Sequence, residues 1–310
     1  MLALIVPVYK NEESIPDLLS VVDGLHHSLQ GAFEAVFVVD GSPDRSYAVL
    51  RDLLPQQAFK SKLVLLSRNF GSFAAIRVGL QTGDGDRFAM MAADLQEPPE
   101  LILAMDRRLR SNEVDVVVGV REARKDPLLG RLASKLFWWL YRRCVVAEMP
   151  AGGVDVFGCS KSFRDTLLTL DERHSSLVAQ LFWLGFRREN ISYTRQFRRH
   201  GASAWTLGKK INYMMDSIFA FTDLPIRLLI RVGGAATFLA AMFGIFVGIA
   251  RLFGLISVPG YAMTIIAIVF LGAINLFGLG IVGSYAWRTY ENTKARPIAI
   301  PMRIEVFARK

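Results

Sequence analysis

Two long stretches near the end of the chain carry no charged residue, and they limit what the chain can fold into. Residues 232–250 contain no Asp, Glu, Lys or Arg, and neither do residues 252–287, so Arg251 is the single charge between them. Each stretch reaches the roughly 20 apolar residues that cross about 30 Å of hydrocarbon. The sequence therefore predicts two transmembrane helices, near 232–250 and 262–284, whose glycines allow close packing as a hairpin.

The charges beside these stretches predict how they are oriented. Residues 227–231 and the tail at 287–310 are basic, whereas the connection at 257–260 carries no charge. Because Lys and Arg accumulate on the cytoplasmic side, we expect both chain termini to face the cytoplasm. The first residues read directly as a strand and do not form a secretory signal.

The first 120 residues alternate between apolar runs and segments with helical spacing. Such alternation predicts an α/β fold with a mostly parallel sheet covered by helices on both faces. The predicted strands are residues 2–8, 33–39, 62–66, 87–92 and 114–120.

Polar loops follow the first four predicted strands, at residues 9–13, 40–44 and 67–72 and at Asp94. The carboxyl ends of parallel strands share one edge of a sheet, so these loops should meet there and form a binding site. Taken singly, each loop also fits ordinary turn and capping chemistry. Asp94 and Gln96 offer oxygen atoms which, together with a diphosphate, suit Mg²⁺ or Mn²⁺.

The middle of the chain is predicted to be rich in helix over residues 128–146. Its aromatic residues fit either a protein core or a lipid interface, and the sequence leaves both open. They are Phe137, Trp138, Trp139 and Tyr141.

Two further segments lie between this region and the apolar stretches. A glycine-rich turn at residues 152–157 is predicted to enter a short strand, which makes Asp155 a second candidate carboxylate. Residues 207–229 have the mixture of apolar and basic positions of an amphipathic helix lying at a membrane surface. The two cysteines, Cys144 and Cys159, lack the spacing of a metal or redox motif and are interpreted as packing residues.

Four motifs precede the apolar hairpin in a fixed order. They are Val6-Pro7-Val8-Tyr9, Val39-Asp40-Gly41-Ser42, Ser67-Arg68-Asn69-Phe70-Gly71 and Ala93-Asp94-Leu95-Gln96-Glu97-Pro98-Pro99. Together with the hairpin they resemble the family 2 glycosyltransferases of the polyprenyl-phosphate type, relatives of dolichol-phosphate mannose synthase and the bactoprenol glucosyltransferases. The resemblance covers essentially the whole chain.

This resemblance implies a GT-A type, Rossmann-like fold and a membrane enzyme of the bacterial inner (plasma) membrane. The implied reaction is the inverting transfer of a sugar from a nucleotide-diphosphate sugar to polyprenyl (undecaprenyl) phosphate, with Mg²⁺ or Mn²⁺ as cofactor. The implied organisation is a cytoplasmic GT-A domain at 1–206, an amphipathic juxtamembrane helix at 207–230, two transmembrane helices at 231–286 and a basic cytoplasmic tail at 287–310.

The resemblance also assigns roles to individual residues. Asp94 and Gln96 are the implied metal ligands, and Asp94, Asp155 and Arg198 are the implied catalytic residues. The acceptor phosphate would meet Arg198, Arg199 and Ser203. The nucleotide-sugar pocket would be formed by Pro7, Tyr9, Asn11, Asp40, Ser42, Arg68, Asn69 and Gly71.

The implied partners are a nucleotide-diphosphate sugar, polyprenyl phosphate, membrane lipids and a second copy of the chain in a homo-oligomer. The net charge of +9 is concentrated before the apolar stretches, which favours lipid headgroups or phosphorylated ligands over nucleic acid. Val39 and Ala92 stand where the family usually has aspartates. The alternative function is therefore a catalytically degenerate membrane scaffold, which would not be stabilised by nucleotides.

Overall fold

The computed structural model describes residues 1–30, 32–121, 138–139, 141–143, 145–150, 153–172, 175–197, 207–253 and 260–307. The chain divides into two compact units, and each is described by itself. Unit 1 contains Met1–Tyr213 and Pro297–Lys310, and unit 2 contains Met214–Arg296.

Unit 1 alternates strands and helices through its described residues. They are β1 (Leu2–Val8), α1 (Ile15–Ser28), β2 (Phe33–Val39), α2 (Ser46–Leu53), β3 (Lys60–Leu66), α3 (Ser72–Thr82), β4 (Arg87–Met90), α4 (Pro99–Arg110), β5 (Val116–Arg121), β6 (Phe157–Ser160), α5 (Lys161–Thr169), α6 (Leu177–Trp183), β7 (Arg188–Tyr193) and β8 (Pro301–Phe307). The strands predicted at 2–8 and 33–39 are confirmed at those bounds, and the other three are confirmed within two residues at each end.

One sheet joins all eight of these strands in the order β7-β5-β6-β4-β1-β2-β3-β8. β1 pairs in parallel with β2 and β4, and β2 pairs in parallel with β3. β6 runs antiparallel between β4 and β5, and β8 runs antiparallel to β3. The sheet is therefore mostly parallel, as predicted, and the carboxyl ends of β1 to β4 lie along one edge.

The centre of the sheet forms because its strands β1 and β2 are apolar runs, interrupted only by Glu34 in β2. Every residue of β2 is buried, and so is every residue of β1 except the half-buried Pro7. A parallel strand covered on both faces is stabilised because the apolar side chains on both faces are removed from water. Helix α1 turns Ile15, Leu18 and Val22, spaced by three and four residues, into this core.

The last strand, β8, was not predicted. The sequence analysis interpreted residues 287–310 as a basic tail, but the second apolar helix continues to Thr293 and β8 begins at Pro301. β8 pairs with β3 through backbone hydrogen bonds. In addition, the hydroxyl of Tyr47, on α2, donates a hydrogen bond to the carboxylate of Glu305 on β8. Just ahead of β8, Ile300 accepts a backbone hydrogen bond of 3.0 Å from Ser67.

The segment predicted as one amphipathic helix at 207–230 holds parts of two helices. α7 (Leu207–Phe221) begins in unit 1 and ends in unit 2, and α8 (Leu224–Leu252) starts after a break. Pro225 explains the break, because proline lacks the N–H that a continuing helix needs but is favoured in a first turn. The Thr222 hydroxyl accepts from the Leu224 N–H at 3.3 Å and helps to start α8.

Unit 2 contains two helices that are long and apolar enough to cross a membrane, judged by length and composition. The qualifying segments are Leu224–Val247 and Ala267–Thr293, with mean hydropathies of 1.8 and 2.0. They belong to α8 and to α9 (Tyr261–Thr293), which contain the predicted spans at 232–250 and 262–284.

Candidate functional site

Asp40 organises the loop that follows β3. Its side chain accepts hydrogen bonds from the Phe70 N–H at 2.7 Å and the Gly71 N–H at 2.8 Å, and its backbone carbonyl accepts one from Asn69 at 3.3 Å. Asp40 is only 2% exposed, and burial raises its pKa against the opposing effect of these amides and of Arg68. The residue therefore fixes the shape of the loop at 67–71.

Glycine is required beside Asp40. Gly41 has a φ of 54°, and a Cβ built there would collide with the backbone of Arg68. Gly71, with a φ of 97°, turns the chain into α3. Both conformations favour glycine strongly. At Gly41 the loops after β2 and β3 lie too close together for any side chain to fit.

The loop after β1 is bonded to the loop after β2. The Lys10 N–H donates to the Ser42 hydroxyl at 2.8 Å, and Ser42 in turn donates to Asp44 at 2.6 Å. Asn11 accepts from the Tyr9 N–H at 3.1 Å. The structure thus brings together the three polar loops that carry the predicted nucleotide-sugar residues.

Arg68 provides positive charge at the rim of these loops. Its side chain is exposed, and its guanidinium lies 4.1 Å from the centre of the Phe70 ring. Stacking on a ring positions a guanidinium while leaving N–H groups to bind oxygen atoms of a phosphate.

The fourth loop places a buried carboxyl group beside two others. Glu97 is 3% exposed and accepts from the Ala92 N–H at 3.2 Å. Burial, followed by the negative charges of Asp94 and Asp155, raises the pKa of Glu97 to about 7. Asp94, Glu97 and Asp155 therefore interact through their charges, and these three carboxyl groups are called the acidic pocket below. The pocket is joined to the first loop, since the Ser14 hydroxyl donates to the Ala93 carbonyl at 3.0 Å.

Asp155 is held by residues from two other strands. Arg121, at the end of β5, forms an ion pair with its carboxylate, and the Tyr193 hydroxyl, at the end of β7, donates to the same oxygen at 3.1 Å. Burial and the charge of Asp155 raise the pKa of Tyr193, so the phenol stays protonated as a donor. The side chain of Asp155 is therefore fixed in direction.

Gln96 lies in the same loop as Asp94, and its amide is engaged at both ends. Arg195 donates to its side-chain oxygen, and its own amide group donates to the Gln196 carbonyl at 3.5 Å. An amide oxygen has a second lone pair, so Gln96 can accept from Arg195 and still present an oxygen to a cation.

The oxygen donors of this loop fit a cation that also binds phosphate. Among the described residues, no group of three or more His, Cys, Asp or Glu is placed to hold a metal ion alone. Mg²⁺ is commonly held by one or two protein oxygens, with substrate phosphates and water completing its shell. Asp94 and Gln96 meet that requirement.

Part of this arrangement is predicted by the sequence. Arg198, Arg199 and Ser203, the expected acceptor residues, lie outside the described residues. One member of the acidic pocket, Glu97, and three residues that contact the site, Arg121, Tyr193 and Arg195, were missed as site residues. A signal existed for Glu97, because a carboxyl group placed two residues after Leu95 and ahead of two prolines sits inside the loop motif itself.

The chain is similar to known glycosyltransferases. A family model described as "Glycosyl transferase family 2" matches residues 3–168. An uncharacterized glycosyltransferase of Synechocystis is 30% identical over 298 residues, covering 96% of this chain and 93% of its own. Undecaprenyl-phosphate 4-deoxy-4-formamido-L-arabinose transferase of Pseudomonas paraeruginosa is 32% identical over 301 residues, covering 96% and 88%.

One similar solved structure is glucosyl-3-phosphoglycerate synthase of Mycobacterium tuberculosis in complex with Mn²⁺, uridine-diphosphate-glucose and phosphoglyceric acid. Its TM-score is 0.49 at 17% identity, over 71% of this chain and 77% of that one.

Proposed function

The chain belongs to glycosyl transferase family 2, and we propose that it transfers a sugar, with inversion, from a nucleotide-diphosphate sugar to a polyprenyl phosphate such as undecaprenyl phosphate. The observation that carries this proposal is that the loops at 9–13, 40–44 and 67–71 and the acidic pocket lie at the same edge of the sheet. The Pseudomonas relative, which is named for transfer on undecaprenyl phosphate, matches nearly the whole chain and supports the choice of acceptor.

In this reaction an oxygen of the acceptor phosphate forms a bond to the anomeric carbon, and the bond from that carbon to the diphosphate breaks. The second pKa of a phosphate monoester lies near 6, so the acceptor is already an anion at neutral pH and needs no strong general base. The chain's main task is therefore to bind and orient two anions and to stabilise the charge that develops on the departing diphosphate.

Named residues suit these tasks. We assign the loops at 9–13, 40–44 and 67–71 to the nucleotide sugar, with Arg68 donating to the diphosphate. Asp94 and Gln96 would hold Mg²⁺ or Mn²⁺, which supplies positive charge to the diphosphate when bound. Asp155, kept in one direction by Arg121 and Tyr193, would position the reacting groups.

The two apolar helices would bring this chemistry to the lipid. A polyprenyl phosphate is confined to the bilayer and the donor to the water, so both must meet at the membrane surface. We place the sheet domain and both chain termini on the cytoplasmic side of a bacterial plasma membrane, because the ends of the apolar helices are basic.

The test is mass spectrometry of lipid products made by the purified full chain. The protein is incubated with undecaprenyl phosphate, Mg²⁺ or Mn²⁺ and a panel of nucleotide-diphosphate sugars. We expect a glycosylated lipid phosphate from one donor, and its mass would identify the sugar. Asp94→Ala should abolish the product while the chain still folds, since Asp94 is only partly buried in a surface loop.

Asp52→Ala is the matched control, because it removes an exposed aspartate on α2, and it should keep full activity. Normal turnover by Asp94→Ala would contradict the role assigned to Asp94. Failure of the wild-type chain to form a product with any donor, together with no stabilisation by nucleotides, would favour the degenerate scaffold instead.

A further inference from the structure

The donor loop, defined here as residues 67–71 together with the first two residues of α3, Ser72 and Phe73, is contacted by the chain on both sides of the apolar hairpin. Ile300, which follows the hairpin, accepts a hydrogen bond of 3.0 Å from the Ser67 N–H at the start of the loop. Tyr213, which precedes the hairpin on α7, packs against Phe73 at the end of the loop with ring centres 5.9 Å apart. All four residues belong to unit 1.

Tyr213 is fixed to the sheet domain by more than this contact. Its ring stacks on Tyr141, with centres 5.9 Å apart and planes within 4° of parallel. Its hydroxyl accepts a hydrogen bond of 3.0 Å from Ser176, a fully buried residue that also caps α6 by accepting from the Ala179 N–H. A half-buried tyrosine with an aromatic neighbour on each side and a buried donor at its tip has little freedom to move.

The row of rings formed by Phe73, Tyr213 and Tyr141 continues to the loop that carries Asp155. Tyr141 packs edge-on against Trp138, with ring centres 5.5 Å apart. The Trp138 ring in turn lies against Gly153, where a Cβ would collide with it. Phe73, Tyr213, Tyr141 and Trp138 therefore form a continuous row of rings between the donor loop and the Asp155 loop.

We infer that Tyr213 is a positioning residue: it links the helix leading to the membrane hairpin to the donor loop at 67–73, so that this loop reaches its binding conformation when α7 is in place. The inference rests on the function proposed above for that loop. Two amides report on the conformation directly, since Phe70 and Gly71 donate to Asp40 only when the loop is in the shape described.

The first measurement is hydrogen exchange of the full chain in phospholipid nanodiscs, and it requires no donor. Tyr213→Ala should accelerate exchange of the Phe70 and Gly71 amides roughly three- to tenfold, which corresponds to the loss of one aromatic contact. The amides of α4 should exchange as in the wild type. Tyr290→Ala is the matched control, because it removes an exposed ring of α9 that packs on Trp287 and Lys294.

The second measurement separates positioning from simple stabilisation. With the donor found by mass spectrometry, Tyr213→Ala should raise the KM for the nucleotide sugar by a similar factor and leave the KM for undecaprenyl phosphate unchanged. Tyr213→Phe keeps the stacked ring but loses the Ser176 hydrogen bond, and should show a smaller change of the same kind. Phe73→Leu should reproduce the alanine effect, and the double variant should add little to it.

Unchanged exchange at Phe70 and Gly71 in a folded Tyr213→Ala chain would overturn the inference. If that variant does not fold, Tyr213→Phe and Phe73→Leu decide the question by the same exchange measurement. A wild-type chain that binds no nucleotide sugar would refute the proposed function alone, because the exchange comparison would still report whether Tyr213 orders the loop.

Discussion

The clearest pH-dependent prediction concerns Glu97. This carboxyl group is 3% exposed, lies in the pocket with Asp94 and Asp155, and has its pKa raised to about 7 chiefly by burial. Replacing it by glutamine keeps the shape of the side chain and removes its ability to ionise. The substitution therefore isolates the cost of ionising this one buried group.

The sign and size of the effect follow from the two pKa values. The ordinary value is 4.5 and the folded value is about 7, so between these pH values the folded chain binds more protons than the unfolded one. The free energy of unfolding should therefore fall as pH rises through this window and remain lower above it. At about 1.4 kcal/mol for each pH unit, the upper limit of the loss is about 3–4 kcal/mol.

Glu97→Gln should abolish this loss. Between pH 5 and pH 8, we expect the free energy of unfolding of the variant to rise relative to that of the wild type by about 2–3 kcal/mol. The measurement is thermal unfolding of the detergent-solubilised full chain at both pH values, without divalent cations. Glu113→Gln, at an exposed position, is the control and should gain nothing. An equal difference between Glu97→Gln and the wild type at both pH values would refute the reasoning.

Two further predictions concern the stability of unit 1. Gly41→Ala should destabilise the fold by about 1–3 kcal/mol, because the residue has a positive φ and its new Cβ would meet the Arg68 backbone; thermal unfolding measures this, and a wild-type melting temperature would contradict it. Asp106→Ala should cost about 3 kcal/mol, because it removes a buried carboxylate 2.8 Å from the partly buried Arg87; Asp52→Ala serves as the control in urea unfolding, and equal midpoints would contradict the prediction.

The centre of the fold could be predicted from the sequence because its signals are local. The strands at 2–8 and 33–39 are apolar at every position except Glu34, and near-continuous apolar runs are typical of strands covered on both faces. β8 could not be found in this way. It is a largely exposed edge strand, its partner is far away in the chain, and the Tyr47–Glu305 contact that supports it joins residues 258 positions apart. Its one local signal is the alternation of Met302, Ile304 and Val306.

The same distinction between local signals and contacts of residues far apart in the chain applies to the candidate site. The polar loops after parallel strands could be assigned to one edge because topology alone brings them there. Arg121 and Tyr193 could not be linked to Asp155, since they reach it only through the pairing of β5 with β7 and the insertion of β6. Tertiary pairing of this kind leaves no pattern in the neighbouring sequence.

The break between α7 and α8 had a usable signal. The spacing of apolar residues continues through 207–229 and predicts one helix, but Pro225 marks the first turn of a new one. In this segment the spacing of apolar residues indicates which residues share a helix face, whereas the proline indicates where one helix has ended and the next begins.

The position of β8 sets an order of events during synthesis. A ribosome makes β1 to β7 first, then both apolar helices, and only afterwards the strand that covers the outer edge of β3. Until then the edge of β3 offers unpaired N–H and C=O groups to any neighbouring nascent chain. Chains that stall between α9 and β8 are therefore those most exposed to aggregation and quality control, and chains that complete the sheet have already synthesised both apolar helices.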